Sequence, residues 1–221
     1  MSNSEKIKGA YKTSKNIYDD ALAQKKWWSK LYISLFWGGI DDFKLAQNVL
    51  NAIPADFNGK LLDVPVGTAL FTVDKYLSLP NTEITCLDYS EDMLEQAKFR
   101  FTENKIKNIT CIQGDVGNLP FEDETFDVVL SMNGFHAFPD KDKAFSETAR
   151  VLKTGGIFCG CFYIKNENKR TDFLVNFLFS KKGWFTPPFY TSDELKTELS
   201  KYYSKTEVEN EQSMVKFKCF K

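Results

Sequence analysis

The stretch Lys60–Ala69 constrains the fold of this chain more than any other part of the sequence. An apolar run ends on Asp63, the chain bends through Val64 to Gly67, and a new apolar segment opens at Leu70. This order predicts a strand, a tight turn and the start of a helix. In an open α/β sheet, ligands bind beside such turns, because the turn backbone and the free N–H groups of the next helix face them. The stretch therefore predicts a ligand site at one edge of a sheet.

Strand-like and helical segments alternate through most of the sequence from residue 60 onward. The predicted strands lie at 60–64, 83–87, 109–113, 126–131, 157–164, 205–211 and 214–220. The predicted helices lie at 70–78, 90–104, 140–152 and 191–203. Because the links are short, we expect an α/β fold: a Rossmann-like, seven-stranded, mostly parallel sheet with an antiparallel C-terminal hairpin strand and helices on both faces.

Some boundaries of these elements follow from capping and breaking residues. Ser90 is the predicted N-cap of the helix over 90–104, and Thr191 or Ser192 caps the last helix. Gly155-Gly156 is the predicted stop of the helix over 140–152. These signals fix where helices begin and end more sharply than hydrophobic periodicity does.

Two segments stand outside this alternation. Residues 1–54 are rich in Tyr, Trp and Phe and predict an N-terminal helical lid or cap, with helices at 4–24 and 42–53. This segment either packs on the core as a helical layer or closes over an apolar pocket. Residues 55–221 form the predicted main domain, in which 165–190 interrupts the pattern with charge and then with Phe and Trp.

Composition argues against several classes of function. The chain has 29 basic against 30 acidic residues, so no broad basic field is available for nucleic acid, and we interpret Lys25-Lys26 and Lys181-Lys182 as solvated faces. No run approaches the ~20 apolar residues of a membrane span. The polar N-terminus lacks a signal-peptide core, which predicts a cytoplasmic protein. Five cysteines without a CxxC pair and a single histidine predict reduced thiols and no metal site.

Three acids close three successive predicted strands: Asp63, Asp88 and Asp115. Because the carboxyl ends of parallel strands meet at one edge of a sheet, we expect these acids on the same rim. Asp88 follows Gly67 by about 20 residues, the spacing at which an acid reaches the ribose hydroxyls of a nucleotide-like ligand. A carboxylate suits this task because it accepts hydrogen bonds and carries no competing donor. The acids therefore predict a nucleoside site.

Five stretches resemble, in the same order, the motifs of class I S-adenosylmethionine-dependent methyltransferases. They are Lys60–Ala69, Cys86–Ser90, Ile112–Asp115, Leu119–Asp127 and Ala149–Gly156. The resemblance covers about residues 55–221 and is nearest in character to the small C-methyltransferases of ubiquinone and menaquinone biosynthesis. It implies a methyltransferase domain over those residues, S-adenosylmethionine as the cofactor, and methyl transfer to a small acceptor. The aromatic residues of 1–54 and 165–190 favour an apolar or aromatic acceptor. The oligomeric state, monomer or homodimer, stays open.

The resemblance also implies roles for individual residues. Those that it assigns to the methionine end of the cofactor are Tyr18, Asp63, Val64, Pro65, Gly67, Ser131 and Asn133. Asp88 is expected to hold the ribose hydroxyls. Those that it assigns to the adenine are Tyr89, Met93, Asp115 and Val116. Tyr18 is expected to close over the methionine carboxylate from the N-terminal segment.

The first motif departs from the family pattern, which reads D-x-G-x-G-x-G. Pro65 and Ala69 replace two of the three glycines, and only Gly67 remains. Proline has a fixed φ and no N–H to offer a ligand. An intact site with a stiffened turn is the favoured interpretation, and a non-catalytic binding protein is the alternative. A nicotinamide-dependent oxidoreductase is a weaker alternative, because the chain lacks a GxGxxG turn.

His136 is the single histidine and follows the fourth predicted strand, at the edge where an acceptor must sit. An imidazole there could remove a proton from the acceptor near neutral pH, which makes His136 the candidate catalytic base. The competing interpretation is a histidine that packs within its loop.

Overall fold

The computed structural model describes residues 41–221, which form a seven-stranded sheet covered by helices. The strands are β1 (Lys60–Asp63), β2 (Glu83–Asp88), β3 (Ile109–Gln113), β4 (Phe126–Met132), β5 (Leu152–Tyr163), β6 (Lys205–Glu211) and β7 (Met214–Phe220). The helices are α1 (Asp42–Leu50), α2 (Val73–Leu77), α3 (Glu91–Glu103), α4 (Lys141–Val151), α5 (Lys169–Leu174), α6 (Ser180–Lys182) and α7 (Ser192–Leu199). A π-helical turn, Val175–Phe179, joins α5 to α6.

The strand order is β3-β2-β1-β4-β5-β7-β6. Strands β1 to β5 pair in parallel, whereas β7 pairs antiparallel with both β5 and β6. This arrangement confirms the predicted fold class. The order reverses beside β1, so the carboxyl ends of β1 and β4 flank the point where open α/β sheets bind ligands.

The core has two halves because successive side chains of a strand face opposite sides of the sheet. Leu61 packs in the half that also holds α1 and α3, and the next residue, Leu62, packs in the half that holds α4 and α7. Both leucines are fully buried. The two-sided burial explains why these short strands read as apolar runs in the sequence.

Two predicted caps are confirmed. The Ser90 hydroxyl accepts a hydrogen bond from the backbone N–H of Met93 at the start of α3. At the start of α7, Thr191 and Glu194 form a reciprocal capping box. Helix α7 ends at Leu199 rather than near residue 203.

The predicted stop of α4 at Gly155-Gly156 is wrong. The helix ends at Val151, and β5 begins at Leu152, so both glycines lie inside the strand. The reason is a shift in the pairing of β5 with β4 between Phe126 and Val128. Gly155 there adopts a φ of +81°, and its N–H donates a hydrogen bond to the carbonyl of Lys221. The glycines serve a strand irregularity rather than a helix end.

The predicted N-terminal lid lies mostly outside the described residues, as does Tyr18. Its described part includes α1, whose apolar residues Leu45, Ala46 and Val49 are buried in the core. Asp41 caps this helix by accepting hydrogen bonds from two backbone N–H groups. The described part of the segment is therefore a packed layer of the core. No helix within 41–221 has the length and apolar character needed to cross a membrane.

Candidate functional site

A cleft opens at the carboxyl edge of β1, β2, β3 and β4. Its empty volume is about 1040 Å³, including the part open to solvent. Nine residues that the sequence assigned to a cofactor line it: Val64, Pro65, Gly67, Asp88, Tyr89, Met93, Asp115, Val116 and Asn133. The structure thus brings together residues that are up to 69 positions apart, counting from Val64 to Asn133.

The turn after β1 forms with only one of its three family glycines. Gly67 adopts a φ of +56°, and its N–H donates a hydrogen bond to the Asp88 carboxylate at 2.9 Å. Ala69 adopts nearly the same left-handed conformation, with a φ of +57°. That conformation costs an alanine about 1 kcal/mol relative to glycine. The chain therefore accepts strain at Ala69 and keeps the geometry of the turn.

Pro65 is accommodated by a glycine on the opposite wall of the cleft. A Cβ placed on Gly134 would lie 2.3 Å from the Pro65 Cδ and 2.7 Å from the Phe138 Cζ. Such a contact is far below van der Waals distance, so only glycine fits at 134 while proline occupies 65. Sequence reasoning missed Gly134, because nothing in the local pattern links a residue after β4 to the turn after β1.

Asp88 has the geometry expected of a ribose-binding acid. It is 7% exposed, and its two carboxylate oxygens accept hydrogen bonds from the N–H groups of Gly67 at 2.9 Å and Ser90 at 2.8 Å. Burial raises its pKa to about 6, while those hydrogen bonds favour the ionised form. The group is therefore mainly ionised at neutral pH. Each oxygen keeps acceptor capacity that can face the cleft.

Asp63 ends its strand in a different environment. It is 1% exposed, does not line the cleft, and accepts a 2.6 Å hydrogen bond from the Tyr76 hydroxyl. Burial, with a smaller contribution from the nearby Asp88, raises its pKa to about 8, although the Tyr76 hydrogen bond favours the ionised form. Ser131 is likewise buried away from the cleft surface, and its hydroxyl has no hydrogen-bond partner among residues 41–221. These two residues lie beneath the site rather than on its wall.

The side of the cleft that the sequence assigned to the adenine is formed by residues from the turn after β2, from α3 and from the loop after β3. Tyr89 is 37% exposed, whereas Met93 and Val116 are buried and contribute apolar surface to the lining. Asp115 also lines the cleft and accepts a hydrogen bond from the Gly117 N–H at 2.8 Å. One aromatic ring, two apolar side chains and one acid suit a flat heterocycle that carries an amino group.

The opposite wall is the loop after β4, which is tied to the segment 184–189. The Thr186 N–H donates to the His136 carbonyl at 2.8 Å, and the Thr186 hydroxyl donates to the Ala137 carbonyl at 3.0 Å. The Lys141 ammonium donates to the carbonyls of Phe138 and Thr186. Lys141 is 5% exposed, and burial lowers its pKa to about 8. Sequence reasoning missed this lysine, because it looks like an ordinary surface residue of a helix.

His136 lies behind this wall and does not line the cleft. Its Nδ1 accepts a hydrogen bond from the Tyr163 N–H at 3.3 Å, and its ring stacks on Phe185 with the centroids 4.1 Å apart. Burial, together with the positive charge of Lys141, lowers its pKa to about 3. The imidazole is therefore neutral and one of its nitrogens is engaged.

A family model described as a methyltransferase domain matches residues 62–160. The span runs from β1 into β5 and includes every described residue that lines the cleft. The chain thus contains a methyltransferase domain, in agreement with its resemblance to the class I S-adenosylmethionine-dependent methyltransferases. The cofactor of this family is S-adenosylmethionine. The weaker alternative, a nicotinamide-dependent oxidoreductase, is set aside by this match.

Relatives and solved structures agree with that assignment. The methyltransferase is 38% identical over 112 residues to a demethylmenaquinone methyltransferase of Staphylococcus haemolyticus, covering 50% of this chain and 46% of that protein. It is 31% identical over 149 residues to an uncharacterized chloroplastic methyltransferase of Arabidopsis thaliana, covering 65% and 41%. The matches thus span less than half the length of these curated relatives. A SAM-dependent methyltransferase structure from Thermotoga maritima shares the fold, with a TM-score of 0.70, 18% identity and coverage of 97% and 99%.

Proposed function

We propose that this methyltransferase transfers the methyl group of S-adenosylmethionine to a small apolar or aromatic acceptor. The observation that carries the proposal is the Asp88 carboxylate, which the turn N–H of Gly67 and the N–H of Ser90 hold at the cleft surface. This acid is the family's expected partner of the ribose hydroxyls. The cleft around it has the apolar and acidic lining that the adenine side requires.

Each part of the cleft has a proposed task. Bound S-adenosylmethionine supplies an activated methyl group on a sulfonium. Asp88 accepts hydrogen bonds from the ribose, and Tyr89, Met93, Asp115 and Val116 hold the adenine. The residues proposed to hold the methionine end are Val64, Pro65, Gly67 and Asn133 on the wall, with Asp63 and Ser131 beneath it and Tyr18 from the N-terminal segment. Alignment of the acceptor with the methyl group, and exclusion of water, account for most of the catalysis.

The acceptor is proposed to lie against the loop after β4. Met132, Ala137 and Phe138 contribute apolar surface on that side of the cleft. The demethylmenaquinone methyltransferases among the relatives support a ring-shaped apolar acceptor, and the net charge of −1 argues against nucleic acid. The proposal also keeps the predicted domain boundaries and a cytoplasmic location. The boundaries are 1–54 for the N-terminal lid, 55–221 for the methyltransferase domain and 165–190 for the aromatic segment within it.

Turnover assays test the proposal directly. Formation of S-adenosylhomocysteine is measured with a panel of reduced naphthoquinones, phenols and aromatic amines. We expect turnover with at least one ring acceptor, loss of turnover in Asp88→Ala, and normal turnover in the control Asp74→Ala, which changes an exposed acid on α2. Absence of cofactor binding in calorimetry would overturn the proposal.

A non-catalytic binding protein is the second candidate, and the residues that favour it are Pro65 and Ala69. The turn nevertheless keeps the Gly67 N–H aimed at Asp88, and Gly134 leaves room for the proline ring. One experiment distinguishes the methyltransferase from the non-catalytic binding protein. Cofactor binding without methyl transfer across the whole panel favours the binding protein, whereas transfer to any member excludes it.

His136 is retained as the candidate base, with packing as the competing role. The low pKa and the engaged Nδ1 favour packing in the cofactor-free protein, although hydrogen bonds of a base can rearrange when substrate binds. The variant His136→Asn separates the two, because asparagine can accept the Tyr163 hydrogen bond and cannot act as a base. Normal turnover in this variant would exclude the base; lost turnover with intact cofactor binding and stability would support it.

A further inference from the structure

The segment that contains α5, the π-helical turn and α6 exposes aromatic residues to solvent. Phe173 is 63% exposed, Phe177 is 60% exposed and Leu178 is 43% exposed. The two phenyl rings lie 5.5 Å apart and nearly parallel, at an interplanar angle of 7°. Their shared surface is larger than the scattered single apolar residues that protein surfaces normally show.

The orientation of this segment is fixed from its inner side. Thr171, Val175 and Phe179 are buried against the core. The Tyr163 hydroxyl donates to the Asp172 carboxylate at 2.6 Å, and Asn168 caps the start of α5. Because the inner face is well packed, the outer aromatics are a stable feature of the surface.

Basic residues flank the aromatics at both ends. Lys169 and Arg170 lie at the start of α5, and Lys181 and Lys182 lie in α6, at the far end of the segment. All four side chains are exposed. The Lys181 Nζ sits 4.0 Å from the centroid of the Phe177 ring. Residues 165–184 contain only two acids, Glu167 and Asp172, although acids outnumber bases in the chain as a whole. The docking face is defined here as Lys169, Arg170, Phe173, Phe177, Lys181 and Lys182.

We propose that the docking face binds the surface of an anionic lipid bilayer. Exposed phenylalanines between cations are the arrangement of interfacial helices, in which the rings enter the headgroup boundary and the cations contact anionic lipids. A second copy of the chain is a poorer occupant, because a two-fold contact would set the same lysines and arginine against each other. The basic pair Lys181-Lys182, interpreted above as a solvated face, then has a binding partner.

The position of the docking face relates it to the cleft. The segment leaves β5 at the carboxyl edge of the sheet, and Thr186 ties its far end to the cleft wall through the carbonyls of His136 and Ala137. Docking would therefore bring that edge of the sheet toward the bilayer, where an apolar acceptor concentrates. Bilayer binding itself does not depend on the proposed methyl transfer and is measured without cofactor or acceptor.

Co-flotation of the full chain with vesicles tests the proposal. The probes are phosphatidylcholine vesicles with and without about one third phosphatidylglycerol, each at low and high salt. We expect flotation with the anionic vesicles only, weakened by salt. Phe173→Ser/Phe177→Ser and Lys181→Glu/Lys182→Glu should each lower the bound fraction at least about fivefold, since the first removes the rings that enter the headgroup boundary and the second replaces the cations that contact anionic lipids.

Matched controls come from α3 and the loop after it. Phe99 is 68% exposed, and Lys98 and Lys107 are exposed cations of the same domain. Phe99→Ser and Lys98→Glu/Lys107→Glu should leave flotation unchanged. Thermal melts and calorimetry with S-adenosylhomocysteine verify that all variants keep their fold and cofactor site, so failure of docking is distinguishable from failure of the proposed function.

Three results would overturn the proposal. One is the absence of flotation with anionic vesicles. Another is equal loss of flotation in the α3 controls, which would make binding a property of the whole surface. The third is a dimer in analytical ultracentrifugation that dissociates in Phe173→Ser/Phe177→Ser while vesicles capture nothing, which would assign the face to a second copy of the chain.

Discussion

The two walls of the cleft are held together in different ways. The cofactor wall is formed by short turns at the ends of β1, β2 and β3, and the Asp88 carboxylate joins two of them by accepting from Gly67 and Ser90. The opposite wall is a loop after β4 that is held by Thr186, which lies 49 residues beyond Ala137, and by Lys141, which donates to the carbonyls of both Phe138 and Thr186. One wall is a set of short turns at neighbouring strand ends, joined by hydrogen bonds such as that from Gly67 to Asp88, and the other depends on contacts with a segment that lies far away in sequence.

This difference separates what is common to the family from what is particular to this chain. The cofactor wall is proposed to hold a ligand that the whole family shares, so its residue types and spacings can be recognised in a single sequence. The opposite wall is proposed to face the acceptor, which differs between family members, and it is shaped by buried contacts that leave no periodic signal. The experiments below either break this contrast or make it quantitative.

The largest effect is expected at the centre of the cofactor wall. Asp88→Ala removes the acceptor of two backbone N–H groups and the proposed acceptor of the ribose hydroxyls. Hydrogen bonds to charged groups contribute about 1.5–3 kcal/mol each, so we expect S-adenosylhomocysteine affinity to fall by roughly a thousandfold. Isothermal titration calorimetry measures it. An affinity within a few-fold of the wild-type value would show that Asp88 does not bind the cofactor. The variant Asp74→Ala is the control for the loss of an acidic residue.

Mutations in the opposite wall should lower the stability of the protein more than they lower its affinity for the cofactor. Lys141→Met leaves the carbonyls of Phe138 and Thr186 without their buried donor, which should cost about 3 kcal/mol of unfolding free energy. Urea denaturation measures the loss. The control Lys143→Met removes an exposed lysine of the same helix, paired only with Asp140 at the surface, and should cost less than about 1 kcal/mol. Equal costs would mean that Lys141 does not hold the wall.

The pH dependence of stability should reveal that Asp63 is buried in its protonated form. Burial raises the Asp63 pKa to about 8 from an ordinary value of 3.8, so the folded state keeps a proton that the unfolded state has released. Raising the pH from about 4 to about 8 therefore lowers stability through this group. Asp63→Asn should flatten that slope and gain about 2 kcal/mol at pH 7.5. An unchanged slope in urea denaturation at several pH values would contradict the buried, protonated state.

A double mutant tests whether the two walls touch at Pro65. Gly134→Ala alone places a methyl group against the proline ring and should displace the turn that carries Pro65. We expect cofactor binding to weaken about tenfold, which corresponds to about 1.4 kcal/mol of binding free energy. Pro65→Gly/Gly134→Ala should recover most of that loss, apart from the remaining contact with Phe138. Additive effects in calorimetry would show that Pro65 and Gly134 act independently.

The smallest effect is expected at Ala69. Ala69→Gly relieves the left-handed strain but loses a buried methyl group and makes the unfolded chain more flexible. These terms nearly cancel, so stability should change by less than about 1 kcal/mol and cofactor affinity should stay within threefold. A large gain in affinity would show that the missing glycine weakens the site after all.

The contrast between the walls also explains what the sequence could predict. The strands 109–113, 205–211 and 214–220 and the caps at Ser90 and Thr191 have the expected bounds, because each depends on local residue types. The Gly155-Gly156 stop failed because strand pairing with a distant segment, and not helix propensity, decides where β5 begins.

The sequence could predict which residues end the strands, but it could not predict whether each side chain faces the cleft or the core. Asp63 and Asp88 both end strands, and the sequence treats them alike. The structure separates them, because Tyr76 from α2 meets the Asp63 carboxylate inside the core while Asp88 faces the cleft. Gly134, Lys141 and Thr186 could not be found, since each acts through a contact with a part of the chain far away in sequence.

The most direct test of the account is a crystal structure with bound S-adenosylhomocysteine. The account predicts both ribose hydroxyl oxygens within about 3.2 Å of the Asp88 carboxylate, with the adenine ring against Tyr89 and Met93 and the amino-acid end beside Gly67 and Asn133. A ligand bound elsewhere, or one in this cleft whose ribose does not contact Asp88, would contradict it.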